Sequence, residues 1–182
     1  MVLPIVKYGD EILREKAEPV VQVTPELVAL AQDMIDTMHK AKGVGLAAEQ
    51  VGRLEALCVI DVPADCEEDD STKEFNSRTA MPLVMFNPQV LSLDGEQEGK
   101  EGCLSFPGMG APLKRAAEAT VQYLDLNGVP QISTMRGFLA RAVQHETDHL
   151  NGVLYIDRLQ DADRAKIGNK IDSLRKKNGG CS

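Results

Sequence analysis

Two histidines stand four residues apart with a glutamate beside the first, in His145-Glu146-Thr147-Asp148-His149. In a helix that spacing puts both imidazoles on one face about one turn apart, where they can share a metal ion. Glu146 then lies beside the metal without having to be a ligand, placed to handle the protons of a water molecule. Taken alone, the pentamer is equally compatible with a surface helix that happens to carry two histidines, so the rest of the chain must decide.

A hydrolytic metal site takes three protein donors and keeps one position for water. The chain continues to Tyr155 in the pattern of a metzincin protease, glycine included, but Tyr155 stands where the third histidine belongs. A phenol with an ordinary pKa of about 10 is a poor substitute. A protease using a downstream carboxylate would have to recruit Asp157, Asp161 or Asp163, and none follows a second helix of suitable length. His39, the remaining histidine, falls late in a predicted helix and reads as a partly exposed surface residue. Cys103 is the better candidate. It sits in Glu101-Gly102-Cys103-Leu104-Ser105, where Gly102 lets the backbone pass close to another group and the pattern suggests a strand edge or bulge. A thiolate ligand would be deprotonated by the metal itself.

With these residues in view, the chain resembles the peptide deformylases over nearly its full length, from Leu3 to Ile156. Three motifs carry the resemblance in order: Gly43-Val44-Gly45-Leu46-Ala47-Ala48-Glu49-Gln50, then Glu101 to Ser105, then His145 to His149. The resemblance implies an α+β fold in which antiparallel sheets pack around a central metal-binding helix. It implies hydrolysis of the N-terminal formyl group from formylmethionine on nascent polypeptides, with release of formate. Cys103, His145 and His149 would bind one divalent ion, natively ferrous iron, with zinc, nickel or cobalt able to replace it. Glu146 would pass the water proton to the departing amine. The side-chain amide of Gln50 and the backbone N–H of Leu104 would receive the oxyanion. A peptide would lie along Gly43-Val44-Gly45, and Val44, Phe138 and Ala142 are candidates for the wall of the methionine pocket. The chain departs from the family pattern at Thr147, where a large apolar residue is usual, and at Gly108-Met109-Gly110-Ala111, which lacks a basic residue that some relatives place near the peptide. Glu49 occupies a position the family lets vary.

The elements that must position these groups are also legible. Thr24-Pro25 supplies an N-cap hydroxyl and a first-turn proline, and Leu27, Ala31, Met34, Ile35 and Met38 repeat at helical spacing. Lys40 and Lys42 favour the C-terminal dipole, and Gly43 is expected to close that helix in a left-handed cap. Residues 54–62 read as a buried strand, and the acidic stretch 65–79 as a mobile surface loop. Strand signals resume at 83–86 and 90–93. Residues 117–126 and 129–134 flank Asn127-Gly128, which predicts a hairpin with a type I′ turn. Helices are expected over 138–150 and over 162–176, the latter with Ile167, Ile171 and Leu174 on one side and Arg164, Lys166, Lys170, Arg175 and Lys176 around the rest.

The 182 residues suit a single domain spanning 1–182. A formal charge of -8 argues against broad capture of nucleic acid, DNA included. No leader pattern or long apolar run appears, so the expectation is a cytoplasmic protein that does not enter a membrane. Cys58, Cys66, Cys103 and Cys181 form no CxxC pair and are expected to be free thiols. Two other readings are carried forward: a metallopeptidase built on the same HExxH helix, and a non-catalytic metal module docking on the ribosome through its basic last helix. A deformylase that touches the ribosome through that helix would join the first and last readings.

Overall fold

The structure is a computed structural model and describes residues 1–67 and 69–179. In chain order its helices are α1 (Pro25–Lys40), α2 (Asp70–Asn76), α3 (Gly137–His149) and α4 (Asp161–Asn178). Its strands are β1 (Gly45–Ala47), β2 (Leu57–Ile60), β3 (Leu83–Asp94), β4 (Gln97–Cys103), β5 (Phe106–Arg115), β6 (Glu118–Leu124) and β7 (Pro130–Arg136). All pairings are antiparallel: a five-stranded sheet in the order β1-β2-β3-β6-β7, and a separate β4-β5 hairpin.

Strand alternation assigns the two faces of the large sheet. Leu57, Val59, Val84 and Phe86 point to one side and pack with Leu30, Ala31, Met34 and Met38 of α1. Cys58, Ile60, Leu83 and Met85 point to the other and pack with Leu139, Ala140 and Val143 of α3. Period 2 in the strands thus meets period 3.6 in two helices, and the sheet is covered on both sides. A third cluster joins the hairpin to α4 through Phe106, Leu113, Ile167 and Ile171. α3 is buried along almost its whole length, from Leu139 to Thr147, which makes it the central helix of an α+β fold.

Several expectations need correction. The left-handed residue after α1 is Lys42, at φ 57°, and Gly43 serves another purpose described below. The two strand signals at 83–86 and 90–93 belong to one strand, β3, whose register shifts beyond Phe86. There Asn87 takes φ 51° and its amide bonds both backbone groups of Val20 at 2.7 Å, which holds the bulge. The β6-β7 hairpin forms, but its loop is not type I′, since Asn127 has no positive φ. Gly128 alone does, at 74°, and its N–H donates to Asp125 O at 2.9 Å, while the Asp125 carboxylate accepts from Asn127 and Val129. An aspartate at the start of the loop outweighed the Asn-Gly signal. Finally, the acidic stretch is not simply a loop: it holds a 3-10 turn at Ala64–Cys66 and α2, whose first turn is capped by the Asp69 carboxylate accepting from Thr72 N.

Candidate active site

α3 carries both histidines into the protein interior, with ring centroids 5.0 Å apart. Cys103 reaches them from the end of β4. The register shift between Gly102 and Cys103 is the expected bulge, and it turns the chain so that the sulfur lies 3.3 Å from His149 Nε2. The sulfur and one nitrogen of each imidazole all lie within 4.8 Å of one another. Three donors from two elements, with Cys103 standing 42 residues before His145, therefore converge on one point.

Gln50 closes the site from the sheet side. A 3-10 turn over Ala48–Val51 folds its side chain back so that Oε1 accepts from Ala47 N at 2.9 Å. Its Nε2 donates toward Cys103 Sγ at 3.3 Å and Ser105 Oγ at 3.1 Å. Leu104 forms the tip of the β4-β5 turn, and its carbonyl accepts from Lys7 Nζ at 2.7 Å. Gly43 and Gly45 owe their identity to this geometry. A methyl at Gly43 would sit 2.6 Å from Leu104 Cδ1, and one at Gly45 would collide with the Glu146 carboxylate.

A cleft of about 860 Å³ opens beside the three donors. It is lined by Gly43-Val44-Gly45, by Cys103, Leu104 and residues 106–110 of the hairpin, and by Phe138, Ala142 and Glu146 of α3. Val44, Phe138 and Ala142, the pocket candidates, thus share one cavity. β1 is an edge strand, paired among the described residues only with β2, and its first residue, Gly45, lines the cleft.

The electrostatics separate the titratable groups. Burial pushes the Glu146 carboxyl up to about 7, and its Oε2 has no hydrogen-bond partner among the described residues. Burial opposes charge on His145, yet bonds to Cys103 and Glu101 hold its pKa well above the ordinary value. Burial and the neighbouring His145 depress His149. Glu101 lies within the Cys103 motif, yet its role is not legible from the motif. Its Oε1 lies 2.5 Å from His145 Nδ1, which directs the other ring nitrogen of His145 toward Cys103. Although burial favours its neutral form, His145 and Arg115 hold the Glu101 carboxyl far below the usual range. Arg115 binds Glu101 and Asp148, Arg141 binds Glu101 and the Leu113 carbonyl, and Arg158 binds Asp148. Only Glu101 carried a signal, two residues before Cys103 on a strand. The arginines are brought in by hairpin register and helix packing, which spacing does not reveal.

Other residues fall outside the site. His39 is half-exposed, with Nε2 2.7 Å from Asp61. Thr147 is buried and its hydroxyl donates to the Val143 carbonyl at 2.6 Å, so α3 absorbs the polar group within its own turn. Cys58 and Cys66 are free thiols, and Cys181 lies outside the described residues.

The chain matches the model of the polypeptide deformylase family over residues 2–165. It belongs to that family. It is similar to the peptide deformylase of Endomicrobium trichonymphae, 44% identical over 96% of each chain. The peptide deformylase of Chlorobium phaeovibrioides is 39% identical over 98% of this chain and 89% of its own length. Among solved structures, the peptide deformylase from Ehrlichia chaffeensis superposes with a TM-score of 0.85 at 37% identity, covering 97% of both chains. That from Legionella pneumophila gives 0.81 at 37% identity over the whole of both. These deformylase neighbours share the α+β architecture described above. They support the deformylase reading of the HExxH helix and lend nothing to the metallopeptidase alternative.

Proposed function

We infer that this chain removes the formyl group from the N-terminal formylmethionine of nascent polypeptides by metal-dependent hydrolysis in the cleft beside α3. The observation that carries this reading is the convergence of Cys103, His145 and His149 within 4.8 Å beside a cleft that also holds Glu146 and Gln50. One thiolate and two imidazoles suit a divalent ion of intermediate softness, and Glu101 already orients one of the rings. When bound, such an ion supplies Lewis acidity and makes water a nucleophile near neutral pH. Ferrous iron is the proposed native ion, with zinc, nickel or cobalt as substitutes.

The chain's own groups then divide the work. Glu146, poised near neutrality by burial, takes the proton of the attacking water and delivers it to the departing amine. The Gln50 amide and the Leu104 N–H receive the charge that develops on the formyl oxygen. The peptide lies against the main chain of Gly43-Val44-Gly45 as an added strand, and Val44, Phe138 and Ala142 enclose the methionine side chain. The chain is proposed to form one domain and to work in the cytoplasm. No helix among the described residues is long and apolar enough to cross a membrane. The exposed Lys170, Arg175 and Lys176 of α4 are proposed to contact the ribosome.

Formate release from formyl-Met-Ala, measured beside cleavage of internal peptide bonds, tests the reading. Formate without internal cleavage is expected; internal cleavage without formate would defeat it.

A further inference from the structure

α3 starts without a cap of its own. Arg136 at its N-cap makes no side-chain bond to the helix, yet the first N–H groups of any helix need acceptors. The Glu67 carboxylate, 7% exposed, supplies them from the acidic stretch. Its Oε2 accepts from Phe138 N and its Oε1 from Leu139 N, each at 3.0 Å. A negative group is favoured at this end of a helix. Asn76, at the end of α2, braces the arrangement. Its Nδ2 donates to Glu67 Oε1 and to the Arg136 carbonyl, and its Oδ1 accepts from Arg136 N, all at 3.0 Å. Gly137, at φ 58°, makes the approach possible, because a methyl there would collide with Glu67 Oε2.

The clamped end of α3 is the end that forms the pocket. Phe138, Ala142 and Glu146 are spaced by four, so they share one helix face, and all three line the cleft. The other end of α3 is held separately, by Glu101 on His145 and Arg115 on Asp148. Fixing the Phe138 N–H fixes the origin of the Phe138 side chain relative to Ala142. We propose that Glu67, braced by Asn76, is a positioning residue that sets the width of the side-chain pocket and hence the preference for methionine. This rests on the reading that Phe138 and Ala142 enclose that side chain.

The test uses nickel-loaded enzyme with two substrates, formyl-Met-Ala and formyl-Ala-Ala, the second having no side chain long enough to reach Phe138. Glu67→Ala is expected to raise KM for formyl-Met-Ala about tenfold, the size of one lost helix cap expressed as an equilibrium. kcat should stay within about twofold and formyl-Ala-Ala should be handled as before. In the double variant with Phe138→Ala, the second change should add little, because both act through one contact. An equal loss on both substrates, an unchanged KM, or additive effects would overturn the proposal. If Glu67→Ala does not fold, Asn76→Ala, which keeps the carboxylate, decides by the same split at about threefold. Absence of formate from the unaltered enzyme would defeat the deformylase reading itself, whereas normal turnover with no substrate split would defeat only the role of Glu67.

Discussion

Glu146 and Glu49 are both buried carboxyls, and their surroundings give them different consequences. Glu146 borders the cleft, and burial leaves it near 7, where it can both take and give a proton. Glu146→Ala should keep its metal and lose at least about a hundredfold in kcat, checked by metal analysis beside formate release. Gln50→Ala should cost about a hundredfold to a thousandfold if its amide receives the oxyanion. Glu49 is fully buried, neither oxygen has a partner among the described residues, and burial raises its pKa to about 8, with Glu146 adding to the shift. Its folded pKa lies above its unfolded value, so the folded state binds the extra proton and wild-type stability falls as pH rises from about 4.5 toward 8. Glu49→Gln removes that slope. Relative to wild type, the variant should gain on the order of 3 kcal/mol between pH 5.5 and 8, read by urea denaturation at the two pH values. A parallel pH dependence in both proteins would show that Glu49 is charged in the folded state.

Among the elements, α3 was the most legible and the β4-β5 hairpin the least. The HExxH spacing alone placed two imidazoles on one helical face. Thr24-Pro25 likewise set the start of α1, where Thr24 Oγ1 accepts from Leu27 N at 3.4 Å. Neither pattern could show that α3 would be held at both ends by residues from elsewhere. Glu101 comes from β4 and its partner Arg115 from β5, 14 residues later; the hairpin sets Glu101 opposite Ala111 and Arg115 opposite Gln97, so the long guanidinium side chain reaches along the hairpin to meet the carboxylate. Glu101→Gln should therefore leave the ligands in place but release His145 from its fixed orientation. Metal affinity is expected to fall about tenfold to a hundredfold, measured by competition with a chelator. Gly45→Ala should push the Glu146 carboxylate aside and cut kcat while leaving metal content unchanged, which metal analysis and formate release would separate. The turn after β6 teaches the complementary lesson: the local Asn-Gly signal located the hairpin, but the bonds from Asp125 chose its geometry.

At the scale of the whole molecule, a chain of net charge -8 ends in a basic helix that packs on the hairpin through Ile167 and Ile171. Deleting α4 would uncover that apolar face, so charge reversal at Lys170, Arg175 and Lys176 tests the ribosome proposal more cleanly. Co-sedimentation with ribosomes should fall while turnover of formyl-Met-Ala stays unchanged; undiminished co-sedimentation would remove the proposal. The sequence by itself determined the chemical inventory: a helix with two imidazoles and a carboxylate, a separate thiol in a glycine-flanked turn, and a glutamine after a glycine-rich run. Helical and strand periods are local properties, set by backbone geometry over a few residues, and so they are readable from spacing. Only the tertiary structure decided that the thiol meets the imidazoles, that Gly43 and Gly45 are small because Leu104 and Glu146 press against them, and that an acidic stretch read as a loop reaches back to cap α3. Those contacts join residues tens of positions apart. They form because burying the faces of one sheet between two helices brings their carriers together and leaves polar groups that must find partners.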